Sequence, residues 1–327
     1  MKKKVFISTV PFGEKNSLPI ELLSNSNLDF TINPLNRKLK EEELCEILPD
    51  YDQIIAGTEP LTERVLRHCH KLKHISRVGI GLDSVDLNFA KKMGIEVSYT
   101  PDAPAPAVAE LTIGLMLSLL RNIHVSNSKM HQGEWFRYFG KRIPETTIGV
   151  IGGGRIGGRV LRKISSFGSP RILINDLAPN DKIAPDLKLE WVSKEMIYRE
   201  ADLITIHVPL TSNTRNLITC RELELMKKET FIINTSRGGI INEKDLYNAL
   251  INKRIQGAAL DVFENEPYSG KLNELDNCIL TSHMGSMSED CRTRMEIEAT
   301  EEAIRFHRGD RLHNLVPKEE FLNQQIK

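Results

Sequence analysis

Gly152, Gly154, Gly157 and Asp176 have the types and spacing to hold a phosphorylated ligand. They sit in the run TIGVIGGGRIGGRVLRKISSFGSPRILIND, residues 147–176. Gly152 permits a tight turn, Gly154 lets backbone approach a pyrophosphate, and Gly157 lets a helix pack closely on a strand. Free N–H groups and the positive end of the helix dipole then meet the anion. An acid about 20 residues beyond the glycines suits a hydrogen bond to an adenosine ribose. Asp176 fills that place, and its charge repels a 2′-phosphate, so the pattern implies NAD rather than NADP.

A glycine triplet carries this meaning only inside a strand, helix, strand unit, and the flanking residues supply one. Ile148, Val150 and Ile151 suit a buried strand, Ile156, Val160, Leu161, Ile164 and Phe167 share a helical face, and residues 171–175 form a second strand. Upstream, strands are expected at residues 5–9, 28–33, 53–56, 74–78 and 96–99, with helices at 18–23, 41–48, 62–69 and 87–93 between them. Thr62 and Asp86 stand at N-cap positions, and Gly94 where a C-terminal cap belongs. Pro101, Pro104 and Pro106 precede a long expected helix, 107–124, that crosses into a second domain. After the βαβ unit come strands at 203–208, 231–234, 256–260 and 278–280, a capping box at Thr219 to Glu222 and an N-cap at Asn242. A final helix over 286–306 returns the chain to the first domain.

Alternation of strand and helix predicts an α/β fold of two doubly wound parallel sheets: a Rossmann-like cofactor domain and a flavodoxin-like substrate domain, with a cleft between them. The expected limits are residues 1–103 plus 295–327 for the discontinuous substrate-binding domain and 104–294 for the NAD-binding domain. A chain of 327 residues suits two domains of roughly 100 to 200 residues each.

The 44 basic and 44 acidic residues cancel, so no surplus charge points to nucleic acid or an anionic membrane. The run from Leu111 to Leu120 is below the ~18 residues of a spanning helix and reads as a buried helix. MKKKVFISTVPFG has a basic start, but its apolar run breaks at Pro11, too early for a signal peptide. A cytoplasmic protein is expected. Five scattered cysteines without C-x-x-C spacing argue against disulfides or zinc, and in His68-Cys69-His70 adjacent side chains diverge, so no metal is expected.

Polar residues gather after successive predicted strands: His207-Val208-Pro209, Thr235-Ser236-Arg237-Gly238-Gly239, Asp261-Val262-Phe263-Glu264-Asn265-Glu266-Pro267 and Ser282-His283-Met284-Gly285. Open α/β sheets bind ligands at that edge. These motifs, in this order, with Arg77-Val78-Gly79-Ile80-Gly81-Leu82-Asp83-Ser84-Val85-Asp86 and Ala107-Val108-Ala109-Glu110-Leu111-Thr112 before them, resemble the D-isomer-specific 2-hydroxyacid dehydrogenases, of the phosphoglycerate dehydrogenase-like branch. The resemblance runs from about residue 50 to 310. It implies NAD-dependent oxidation of a 2-hydroxy acid, or reduction of a 2-oxo acid, by a homodimer. With the sequence ending at Lys327, no C-terminal regulatory domain is expected.

The resemblance assigns three catalytic positions. Hydride transfer at C2 leaves a proton to be exchanged at the C2 oxygen, which suits His283. A carboxylate at Glu266 favours the imidazolium and orients the ring. Arg237 suits a bidentate grip on the α-carboxylate and polarisation of the 2-oxo oxygen. Cofactor contacts fall on Gly152, Gly154, Arg155, Ile156, Gly157, Asp176, His207, Pro209, Thr214, Thr235, Asp261, His283, Gly285 and Thr112. Substrate contacts fall on Arg77, Val78, Gly79, Ile80, Arg237 and His283, with the amides of Gly79 and Ile80 on the carboxylate. Arg77 stands where phosphoglycerate dehydrogenases carry an arginine near the phosphate. The preceding loop departs from them, with Ala56 in place of a second arginine and Glu59 nearby. A second anionic or strongly polar group on the acid is therefore expected, with Arg292 and Arg294 either supplying charge or lying solvated. Trp135, Phe136, Tyr138 and Phe139 read as an arm packed on a partner subunit. The competing reading is an NADH-sensing binding module resembling the family's corepressor relatives, with which intact Arg237, Glu266 and His283 are compatible.

Overall fold

The computed structural model describes residues 2–325; Met1, Ile326 and Lys327, included in the expected domain limits, lie outside it. The chain forms two compact units, Met1–Pro104 with Ser286–Lys327, and Ala105–Gly285.

The first unit alternates β1 (Lys4–Ile7), α1 (Leu18–Ser24), β2 (Asp29–Ile32), α2 (Glu41–Ile47), β3 (Gln53–Ala56), α3 (Glu63–His68), β4 (His74–Arg77), α4 (Leu87–Lys92) and β5 (Glu96–Tyr99). The strands pair in parallel in the order β2-β1-β3-β4-β5, the flavodoxin-like order. Val5, Phe6, Ile7, Ile54, Ile55 and Ile75 are almost wholly buried, because helices cover both faces of such a sheet. Thr62 and Asp86 accept from the amides of Val65 and Phe89 and start α3 and α4. Gly94, at φ +67°, takes the left-handed turn after α4.

The second unit runs α5 (Ala105–Leu120), α6 (Ile123–His131), β6 (Thr147–Ile151), α7 (Arg155–Ser165), β7 (Arg171–Asn175), β8 (Leu189–Trp191), α8 (Lys194–Glu200), β9 (Leu203–Ile206), α9 (Cys220–Leu225), β10 (Phe231–Asn234), α10 (Glu243–Ile251), β11 (Gly257–Leu260) and β12 (Cys278–Leu280). Its sheet is β12-β11-β10-β9-β6-β7-β8, all parallel, and the direction of winding reverses between β6 and β9. That reversal is the switch point where doubly wound sheets take ligands. The Thr219 capping box and the Asn242 N-cap form as expected and start α9 and α10.

The helix expected over 107–124 is two helices. Asn122 adopts φ +52°, donates from its side chain to the Phe139 carbonyl, and breaks the run, so α5 and α6 meet at 67°. Asparagine tolerates the left-handed region better than other non-glycine residues. Leu111 to Leu120 lies inside α5, whose Ala109, Met116 and Leu119 join the core. Among the described residues no single helix is long and apolar enough to cross a membrane.

The chain returns to the first unit through α11 (Glu289–Arg308) and ends in α12 (Lys318–Gln325). The expected boundary at 294/295 would cut α11, an unbroken helix whose Ala299 and Ala303 are fully buried; the division instead falls at Gly285/Ser286. Ser76 donates to the Ala299 carbonyl at 2.7 Å, and His74 stacks on Phe306 at 4.7 Å. Burial pushes the His74 imidazole down to about 3, so it packs as a neutral ring.

Arg292 is neither solvated nor a spare cation. It is buried, its Nε donates to Glu296 at 2.6 Å, and its guanidinium also holds Thr9 Oγ1 and the Pro11 carbonyl. Glu296 in turn accepts from the Gly13 amide at 2.8 Å, so the pair pins the loop after β1. Breaking such a buried pair from one side costs about 3–5 kcal/mol. Arg294 is exposed and pairs with Glu298 on its own helix.

Candidate active site

The glycine loop connects β6 to α7. Gly152 has φ +97°, and a Cβ there would lie 2.5 Å from the His207 carbonyl; at Gly157 it would meet the Gly152 carbonyl at 2.0 Å. Neither position accepts a side chain. Around Gly154, by contrast, a Cβ meets nothing within 4 Å, so the backbone there faces open space at the start of α7. Gly154 has no capping side chain to satisfy the first amides of α7, which suits a phosphate. Arg155 and Ile156 are the first residues of α7.

Asp176, just past β7, is half-buried; its Oδ2 accepts from the Gly153 amide at 2.6 Å and its Oδ1 from the Ala178 amide at 2.9 Å. The acid is thereby fixed beside the glycine loop, at the position a ribose would occupy. Across the switch point, His207 Nε2 pairs with Thr205 Oγ1 at 2.9 Å. Burial pushes the ring down to about 3 and keeps it neutral. Its Nδ1 is buried and bonds to no described residue, as expected of a polar atom that a ligand satisfies. Thr214 donates to the Pro209 carbonyl at 2.6 Å and shapes that loop. These features fit a bound dinucleotide.

Beyond β10, Thr235 and Thr112 share a hydrogen bond of 2.9 Å, tying α5 to the Thr235–Gly239 turn. Asn234 accepts from the Ser236 amide at 3.0 Å and donates to the Arg237 carbonyl at 2.8 Å, closing the turn that presents Arg237. Asn234 lies outside the expected site residues; its signal in the chain is a polar residue ending an apolar strand. Arg237 is half-buried and donates to the Ser236 carbonyl at 2.6 Å.

Asp261 and His283 follow β11 and β12. Asp261 is 1% exposed and accepts from Thr281 Oγ1 at 2.6 Å, the Met284 amide at 2.9 Å and the Gly285 amide at 2.8 Å. Burial raises its carboxyl above the ordinary range, against the opposing pull of these donors. Its oxygens thus grip the His283 turn. His283 has φ +50°, a region most side chains avoid, and its Nδ1 lies 2.8 Å from Glu266 Oε2. Glu266 Oε1 also accepts from the Phe263 amide at 3.1 Å. Gly285 packs 3.0 Å from Asp261 and 3.2 Å from Val108, measured from an ideal Cβ.

The remaining expected residues lie in the first unit. Arg77 ends β4; it is buried, and its guanidinium bonds the Val78 carbonyl and lies against Gly79. The Gly79 amide, expected on a substrate carboxylate, donates instead to Thr100 Oγ1 at 2.7 Å. Glu59 is buried and accepts from the Gly57 amide at 2.7 Å, so it shapes the loop after β3. Among the described residues no cluster suits a metal ion.

Residues 113–285 match the family model described as D-isomer specific 2-hydroxyacid dehydrogenase, NAD binding domain. The chain is 40% identical over 284 residues to a D-3-phosphoglycerate dehydrogenase of Methanocaldococcus jannaschii, covering 85% of this chain but 54% of that protein, so it spans about half that relative's length. It is 35% identical over 291 residues to a hydroxypyruvate reductase of Thermotoga maritima, 87% of this chain and 92% of that one. A solved D-lactate dehydrogenase of Aquifex aeolicus, complexed with NAD and lactic acid, superposes with a TM-score of 0.84 at 27% identity over 96% of this chain and 99% of its own.

The placement of Asp176 sets a cofactor prediction. Asp176→Ala is expected to shrink the preference for NADH over NADPH by roughly tenfold, about 1.4 kcal/mol, in kcat/KM measured with both cofactors. An unchanged ratio would remove Asp176 from cofactor discrimination.

Proposed function

Since this chain belongs to the D-isomer specific 2-hydroxyacid dehydrogenases and carries the family's NAD-binding domain, we propose that it interconverts a small 2-hydroxy acid and its 2-oxo acid, with Arg237, Glu266 and His283 as its catalytic residues. One observation carries this reading: the 2.8 Å pairing of His283 Nδ1 with Glu266 Oε2 on a turn held at positive φ. NAD(H), which the glycine loop, Asp176 and His207 would hold, would supply the hydride chemistry at C2; the side chains do the rest. Glu266 accepts a hydrogen bond from Nδ1–H, which fixes the ring and leaves Nε2 to exchange a proton with the C2 oxygen. The carboxylate also stabilises the imidazolium that gives up its proton during reduction. Arg237 is assigned the α-carboxylate and, through its fork of donors, the 2-oxo oxygen.

For the substrate we propose an acid with a second anionic or strongly polar group. Arg77, at the carboxyl end of β4, supports it; the buried Glu59 beside the neighbouring strand disfavours a phosphate and favours a hydroxyl-bearing acid. The test is kcat/KM on pyruvate, hydroxypyruvate, 2-oxoglutarate and 3-phosphohydroxypyruvate, for wild type, Arg77→Ala and His283→Ala. His283→Ala is expected to lose roughly 10²- to 10⁴-fold in kcat while binding NADH normally. Arg77→Ala is expected to lose ~1.5–3 kcal/mol on the polar and dianionic acids and little on pyruvate. Near wild-type turnover in His283→Ala would sink the catalytic assignment, and a preference for pyruvate would sink the substrate class.

We also propose a homodimer. Ile123, Met130, Trp135, Phe136 and Phe139 are exposed along α6 and the arm after it, with Trp135 80% and Phe139 100% accessible. A cluster of this size on one segment marks an association surface, and a second copy of the chain is the occupant that the family resemblance implies. Sedimentation should give a dimer, and Trp135→Ser with Phe139→Ser should give a monomer; a wild-type monomer at micromolar concentration would contradict the proposal.

A further inference from the structure

We propose that Glu243, which none of the roles above uses, is a positioning residue that sets the distance between Arg237 and the Glu266–His283 pair; the proposal rests on the catalytic reading of those three residues. Glu243 is the first residue of α10, directly after its Asn242 cap and four residues beyond the turn that carries Arg237. Its Oε1 accepts from the Glu264 amide at 2.6 Å. The neighbouring Phe263 amide donates to Glu266 Oε1 at 3.1 Å. Two consecutive amides of one loop are therefore held by two carboxylates, Glu266 from inside the catalytic pair and Glu243 from the element behind it.

The turn and the loop also meet directly. An ideal Cβ on Gly238 would fall 2.0 Å from the Phe263 carbonyl carbon and oxygen, so the backbone after Arg237 lies against the backbone before Glu266, with no room between. Close approach fixes how near the two segments come, but it does not stop one sliding along the other. The Glu243 hydrogen bond is directional and supplies that constraint. Burial raises the Glu243 carboxyl above its ordinary range, the bond from the Glu264 amide draws it down, and the charges of Glu264 and Glu266 add to the rise. Removing the bond lets the Phe263–Glu264 backbone rotate, carrying Glu266 and its grip on His283 away from Arg237.

Two substitutions separate the bond from the charge. Glu243→Gln keeps an acceptor oxygen and loses the charge; Glu243→Asp keeps the charge but is one methylene too short. For both, kcat, KM for the 2-oxo acid and Kd for NADH are measured beside wild type and His283→Ala. The proposal expects Glu243→Gln within about twofold of wild type, and Glu243→Asp down about tenfold in kcat with NADH affinity unchanged. Loss in Glu243→Gln equal to that in Glu243→Asp, or no loss in either, overturns it. Turnover surviving in His283→Ala would bring down the catalytic reading beneath it, whereas an inactive His283→Ala with a fully active Glu243→Asp fails this inference alone.

Discussion

The carboxylate of Asp261 holds the site together. It sits at the end of β11 with almost no solvent contact, where a charge is costly unless donors surround it. Thr281, Met284 and Gly285 provide those donors, and all come from one turn after β12. Satisfying the acid and shaping the turn are therefore the same event. The turn drives His283 to φ +50°, a conformation that extended backbone would not reach, and this swings the imidazole onto Glu266. Asp261, an expected cofactor contact, is tied by its hydrogen bonds to the turn that carries the histidine.

The sheet that carries this turn gives the other chemistry its position. Parallel strands put every carboxyl end on one edge, and β6, β9, β10, β11 and β12 each deliver a loop there: the glycines, His207, Arg237, Glu266 and His283. Backbone contacts set the spacing where side chains would not fit. Gly157 lets α7 start against Gly152, and Gly238 lets the Arg237 turn touch the Phe263 backbone. Asn234 and Asp261, both buried, then fasten two of these loops from within.

Much of this was legible in the chain because its signals are local. Strand residues such as Ile54, Ile55 and Ala56 form an unbroken apolar run, the caps at Thr62, Asp86, Thr219 and Asn242 announce helices, and the glycine spacing belongs to a βαβ unit. The expected catalytic trio was readable as motifs, and the structure brings Glu266 and His283 into contact. What escaped depends on tertiary packing. Nothing near Asn122 says that it will turn left-handed and split a helix. β8 is three half-buried residues without alternation. Arg292 reads as an exposed helix residue until Thr9, Pro11 and Glu296 are found around it, and the Gly79 amide reads as available until Thr100 takes it. Hydrogen bonds between residues far apart in the chain leave no periodicity to read.

Whether Asp261 serves catalysis by holding His283 in place is tested most directly by single-turnover oxidation of bound NADH in Asp261→Asn with a saturating 2-oxo acid. An asparagine cannot accept from Thr281, Met284 and Gly285 together, because its amide nitrogen only donates. Hydride transfer is expected to slow by roughly 10- to 100-fold with the Kd for NADH nearly unchanged. A variant that transfers hydride at the wild-type rate but binds NADH weakly would contradict it.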